Sequence, residues 1–151
     1  MNLLTDELRA LIGTELAPFE FEVTRNDIKK YAVATGQRQR RYLEGDEAPL
    51  LFLFSAMMPV IPLSELLPDG RQPDSSLIPE LPLKRIMAGG SDYQIYRRAY
   101  AGDVLVCTQK LTDLYEKQGG SGPLIFMVFE NRFETSVGEP VVTEYLTRIA
   151  R

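Results

Sequence analysis

Four segments, 91–98, 103–112, 122–133 and 140–149, are rich in Val, Ile, Thr, Tyr and Phe. They are separated by Ala101-Gly102-Asp103, Gly119-Gly120-Ser121-Gly122 and Gly138-Glu139-Pro140. β-Branched and aromatic side chains suit a pleated, half-buried surface, and glycine gives the backbone freedom that tight turns need. The segments are therefore read as successive antiparallel strands forming a meander. Leu124 to Phe129 is apolar on both alternations and is expected to be a central strand covered on both faces.

The preceding residues read mostly as helix. Thr5 is placed to cap a short amphipathic helix carrying Leu4, Leu8, Leu11 and Ile12 and closed by Gly13. Ala17 to Val23 alternates Phe19, Phe21 and Val23 with Glu20 and Glu22, the period of a half-buried strand. Thr24 with Asp27 three residues on opens a second helix, with Ile28, Tyr31, Ala32 and Thr35 at helical spacing and a stop at Gly36. Residues 37–47 carry both charge signs and read as a surface loop. Pro49 suits a first helical turn, and Leu50 to Met58 is apolar nearly throughout, so a core helix buried on all sides is expected, ended by Pro59 and Pro62. Ala48 to Leu63 falls short of the roughly 18 apolar residues that a membrane-spanning helix needs. Residues 62–83, with prolines at 62, 68, 73, 79 and 82 and the turn pair Asp69-Gly70, read as a long irregular excursion. This order predicts an α+β fold in which an antiparallel sheet closes around a buried central helix, the hot-dog arrangement; the pattern also admits other α+β sandwiches.

With 151 residues, one domain spanning 1–151 is expected. A net charge of −4 argues against a nucleic-acid partner. The lone Cys107 excludes an internal disulfide and a cysteine-rich metal site, and it fits a reducing cytoplasm. The acidic start, Met1 to Glu7, differs from the positive region of a secretory signal. No histidine is present, so Ser-His-Asp, Cys-His and His-ligated zinc chemistry cannot be housed in this chain alone. No metal or cofactor is expected.

Gly89-Gly90-Ser91-Asp92-Tyr93, Arg98-Ala99-Tyr100-Ala101-Gly102-Asp103, Tyr115-Glu116-Lys117-Gln118-Gly119-Gly120-Ser121-Gly122-Pro123-Leu124 and a terminal strand ending Thr147-Arg148 follow one another in that order. The set resembles the MaoC-like dehydratase family, that of the (R)-specific enoyl-CoA hydratases, and within it the N-terminal FAS1-like branch, over about the whole chain. The resemblance implies a hot-dog fold and reversible hydration of a 2-enoyl-CoA in a tunnel between two hot-dog units. It also implies a G-D-x-N-P-x-H motif whose Asp and His activate water, one group taking a proton while the other delivers one. Here that motif reads Gly36-Gln37-Arg38-Gln39-Arg40-Arg41-Tyr42. Gln37, Gln39 and Tyr42 replace the Asp, Asn and His; an amide is no base near neutral pH, and a phenol of pKa about 10 is a poor stand-in for imidazole. Ala88 stands where the family's H-G-G-Q segment has its histidine.

Gly89, Gly90 and Ser91 are candidate substrate-binding positions, the glycines allowing close approach of a ligand. Arg38, Arg40 and Arg41 are candidates for the phosphates of coenzyme A; the same cluster also reads as a solvated basic loop, as a filling for the vacated catalytic pocket, or as a partner for carboxylates of another subunit. Glu44, Asp46 and Glu47 precede the apolar helix, where one of them would serve either as a base or as a structural cap. Gly119 to Gly122 reads as a hairpin turn, and Cys107, Met57 and Met58 as core packing. Tyr93, Ile95 and Arg97 share a strand face that would line a tunnel or pack in a core or interface.

Three functions follow as expectations. The first is an accessory hot-dog subunit that shapes an acyl-CoA tunnel beside a histidine-bearing MaoC-type partner, with residues 62–86 as its adjustable wall. The second is a homodimeric thioesterase using Asp46 or Glu47, and the third an acyl-CoA-binding module without chemistry.

Overall fold

The computed structural model describes residues 3–58, 60–68, 70, 77 and 79–151. Met1 and Asn2, Pro59 at the expected helix stop, Asp69 of the turn pair and Pro73 lie outside these residues.

Threonines open the first two helices as their spacing predicts. Thr5 Oγ1 accepts the Leu8 amide ahead of α1 (Asp6–Arg9). Thr24 Oγ1 accepts the Asp27 amide and donates to the Asp27 carboxylate ahead of α2 (Arg25–Ala34). Each such cap gives an acceptor to a helix-end N–H that lacks one, worth about 1 kcal/mol. Gly36, at φ 68°, takes the left-handed conformation just past α2.

The chain has an α+β hot-dog fold built on one five-stranded antiparallel sheet. Its strands are β1 (Phe19–Glu22), β2 (Ile86–Ile95), β3 (Val104–Gly119), β4 (Gly122–Thr135) and β5 (Pro140–Ala150), in the order β1-β3-β4-β5-β2. The hairpin expected at Gly119–Gly122 joins β3 to β4. The expected meander holds for β3, β4 and β5 but not for β2, which crosses over to pair with β5 at the far edge. Period-2 patterning identifies a strand without naming its neighbour.

Three further expectations are corrected. The apolar run yields only a short helix, α4 (Phe52–Ala56), and it is not buried on all sides: Phe52 and Leu53 are sealed, whereas Leu51 is 54% and Met58 45% exposed. A helix of about one and a half turns presents one face to a sheet and leaves the rest outside. On β4, Ile125, Met127 and Phe129 are fully buried while Leu124, Phe126 and Val128 are half-buried, so only one face is closed. Residues 37–47 are not all loop, for Arg40–Leu43 forms a helical turn, α3, that buries Tyr42.

The inner sheet face carries two apolar clusters. Leu105, Cys107, Phe133 and Val142 pack with Val23, Ile28, Phe52 and Leu53. Leu111, Leu114, Ile125, Met127, Phe129 and Leu146 pack with Leu4, Leu77 and Leu81, and Phe54 lies against them. Cys107 sits inside the first cluster as expected, its thiol pushed up to about 12 by burial and by the charge of Glu144. At that value it is a packing group and not a thiolate nucleophile.

Candidate functional site

A polar row separates the two clusters. Gln109 of β3 stands opposite Asn131 of β4, Asn131 opposite Glu144 of β5, and Glu144 opposite Tyr93 of β2. Each of these positions lies two residues from an apolar neighbour on the same face, so strand alternation alone aligns them. Gln109 Nε2 donates to Asn131 Oδ1 at 2.8 Å, and Asn131 Nδ2 donates to Glu144 Oε2 at 2.9 Å. Ser91 Oγ and Tyr93 Oη both donate to Glu144 Oε1 at 2.8 Å. Glu144 is 1% and Asn131 0% exposed. A carboxylate so enclosed is tolerable only because three side-chain donors replace its water. Burial and the hydrogen bond to Glu144 push the Tyr93 hydroxyl up to about 12, so it remains a donor to that carboxylate across the neutral range.

A second polar centre stands at Arg41 and Tyr42. Arg41 Nη2 donates to Tyr42 Oη at 3.2 Å with its guanidinium carbon 4.8 Å above the Tyr42 ring, and its Nη1 reaches Glu47 Oε2 at 3.4 Å. Arg98 Nη1 donates to Glu47 Oε1 at 2.7 Å. The Glu47 side chain is 7% exposed. Both of its oxygens are thus committed to guanidiniums, and Arg41 Nε is a buried donor without an acceptor among the described residues. Asp46, the other candidate base, pairs with Arg25 at the surface. Arg40 pairs with Glu44, and Arg38 is exposed without a partner among the described residues. Gln37 is half-buried, and Gln39 precedes α3 without a side-chain capping bond.

The candidate positions thus fall into two groups. Gly89, Gly90 and Ser91 belong to edge strand β2, and Ser91 is drawn into the Glu144 cluster. At Gly89 a Cβ would come within 2.8 Å of Thr147 Cγ2 and 3.1 Å of the Thr147 carbonyl oxygen, so that glycine is needed for strand packing at the bulge between Ala88 and Gly90. Gly90, at φ 133°, faces open space. Arg41 and Tyr42 join Glu47 and Arg98 at the other centre. Tyr93 and Ile95 share a face, while Arg97 lies past the end of β2 and pairs with Asp103 at 2.9 Å. The reading from sequence missed Glu144, Asn131 and Gln109. The signal was available in β5, where Glu144 falls on the same alternation as Val142 and Leu146.

An antiparallel sheet with a short helix on its inner face is the hot-dog architecture, and solved structures agree on the fold. The HadBC (3R-hydroxyacyl-ACP dehydratase) complex from Mycobacterium tuberculosis superposes with a TM-score of 0.62 at 18% identity, covering 93% of this chain and 97% of that one. The R-hydratase PhaJ1 from Pseudomonas aeruginosa gives 0.60 at 15% identity over 92% and 81%. A structure described as a MaoC-like dehydratase gives 0.65 at 18% identity, covering 94% of this chain but 42% of that longer one. No curated protein matches the sequence. Residues 10–144 match the family described as FAS1-like, dehydratase domain region, and the chain belongs to that family.

Proposed function

We propose that this chain is an accessory subunit of a 2-enoyl-CoA hydratase or dehydratase, shaping the acyl-CoA site while a histidine-bearing MaoC-type partner supplies the base and acid. The observation that carries this reading is the ion-pair anchor at Glu47, whose carboxylate is held by Arg41 and Arg98 beside Tyr42. In this reading Gln37 and Tyr42 stand at the positions of the family's Asp and His. A carboxylate with both oxygens engaged by guanidiniums anchors a loop and is badly placed to take a proton from water.

Two features support pairing. Among the described residues strand β2 has a neighbour on one side only, which leaves an outer row of backbone groups for a second sheet. Solved relatives include complexes of named components, HadBC and ChsH1-ChsH2, both from Mycobacterium tuberculosis. In this reading Gly90 and Ser91 border the thioester, and Arg38, Arg40 and the unsatisfied Arg41 Nε meet coenzyme A phosphates or carboxylates of the partner.

Co-expression with a histidine-bearing MaoC-type protein, followed by copurification and a 2-enoyl-CoA hydration assay, tests the proposal. The expected result is a stable complex whose activity or acyl preference depends on this chain. Robust hydration by the purified chain alone would overturn it.

A further inference from the structure

A groove of about 570 Å³ lies between β1, α2 and α4, lined by none of Arg41, Tyr42, Glu47 and Arg98. Small-molecule pockets span roughly 300–1,000 Å³ and are mostly apolar with a few polar groups that fix orientation. Phe21, Ala34, Phe52 and Ala56 give this groove its apolar wall, and Tyr31 and Ser55 supply hydroxyls. At its rim Asp27 and Lys30 face each other at 3.8 Å and Glu22 adds a second carboxylate, so the groove repels an anionic group and leaves an acidic head group outside it.

Tyr31 is the informative residue. Its ring stands edge-on to Phe52, with centroids 5.7 Å apart and planes at 88°, which fixes the phenol against the groove wall. Its hydroxyl has no hydrogen-bond partner among the described residues, and burial raises its pKa, so it stays protonated and able to donate. Water serves it while the groove is open. An apolar chain entering the groove displaces that water and strands the hydroxyl, unless the chain brings an oxygen of its own. A site of this kind favours the oxygenated ligand by penalising its plain analogue.

We infer that this groove takes an apolar acyl chain bearing a hydroxyl or keto oxygen away from its head group, and that Tyr31 is the residue that selects for that oxygen. The inference names the substrate class within the acyl-binding role proposed above and rests on that reading for the word acyl.

Direct binding to the purified chain tests it, using a saturated fatty acid and its ω-hydroxy counterpart of equal length in a fluorescence displacement assay. One net hydrogen bond corresponds to about a 3- to 10-fold preference for the hydroxylated probe. Tyr31→Phe is expected to abolish the preference while keeping affinity for the plain acid, and Ser55→Ala to retain it. Ala34→Trp, at an exposed helix position on the groove wall, is expected to block both probes with the far-ultraviolet circular dichroism unchanged. Equal affinities in the wild type, or a preference that survives Tyr31→Phe, would overturn the inference. So would fatty-acid binding that Ala34→Trp leaves intact, or a groove found filled by a second copy because Ala34→Trp abolishes self-association without affecting the probes. The assay needs neither coenzyme A nor a partner, so failure of the hydratase assembly and failure of this selectivity register in separate measurements.

Discussion

Asn131 Nδ2 donates to Glu144 Oε2 across 2.9 Å at the middle of the inner sheet face, where both side chains are closed to solvent. Removing Asn131 alone leaves Glu144 short of a donor and frees the Gln109 amide from its acceptor. Each buried group left unpaired costs about 1–3 kcal/mol. Asn131→Leu is expected to lower unfolding free energy accordingly in urea titrations. The double variant Asn131→Leu/Glu144→Leu is expected to lose less than the two single losses added together, because the buried charge has gone with its partner.

Glu47 gives a second prediction, on stability and chemistry together. Glu47→Gln leaves Arg41 and Arg98 facing each other without the charge between them. A loss of about 1.5–3 kcal/mol is expected for hydrogen bonds to a charged group, measured by denaturant unfolding. Thioester hydrolysis measured in Asp46→Asn and Glu47→Gln is expected to match the parent chain, since both carboxylates serve as ion-pair anchors.

Tyr93 sets an alkaline limit. Its hydroxyl is raised from 10.0 to about 12, so the folded state holds that proton more tightly than the unfolded chain does. The stabilisation is complete below the unfolded value near 10 and is lost as pH rises through about 12. Titration of tyrosinate absorbance is expected to show a tyrosine ionising near 12 that disappears in Tyr93→Phe, together with a shallower loss of stability above pH 10.

The glycines of β2 and of the hairpin differ in what they tolerate. Gly89→Ala drives a methyl group against Thr147 at 2.8 Å, and overpacking of this kind costs about 1–3 kcal/mol. Gly120→Ala meets nothing within 4 Å and carries no positive φ, so it is expected to be near neutral. Thermal melts of the two variants side by side check the contrast.

Local chemistry explains which features could be read in advance. Thr5, Thr24 and Gly36 announce helix ends because capping and left-handed backbone are decided within a few residues. The β3–β4 hairpin was legible for the same reason. The crossing of β2 to β5 was not, since strand neighbours are chosen by tertiary packing. Residues 37–47 looked like a solvated loop because charge count cannot show that Glu47 meets Arg98, 51 residues away, inside the protein. At the candidate site the absence of histidine was plain from the chain. Glu144 escaped notice because its meaning lies in register: only once β5 is aligned with β4 and β2 do Asn131 and Tyr93 converge on it.

The strand order also has a kinetic consequence. Strands β3, β4 and β5 follow one another with tight connections, so their pairing closes short loops, whereas β1 must find β3 and β2 must find β5 across long stretches of sequence. Short loops close at the smallest entropic cost, which makes the central three strands the natural nucleus and the two edges late additions. The same asymmetry governs excursions from the native state. Amide protons of the two edges will exchange with solvent through openings that leave the central strands intact, and the four-residue β1 will open more readily than the longer β2.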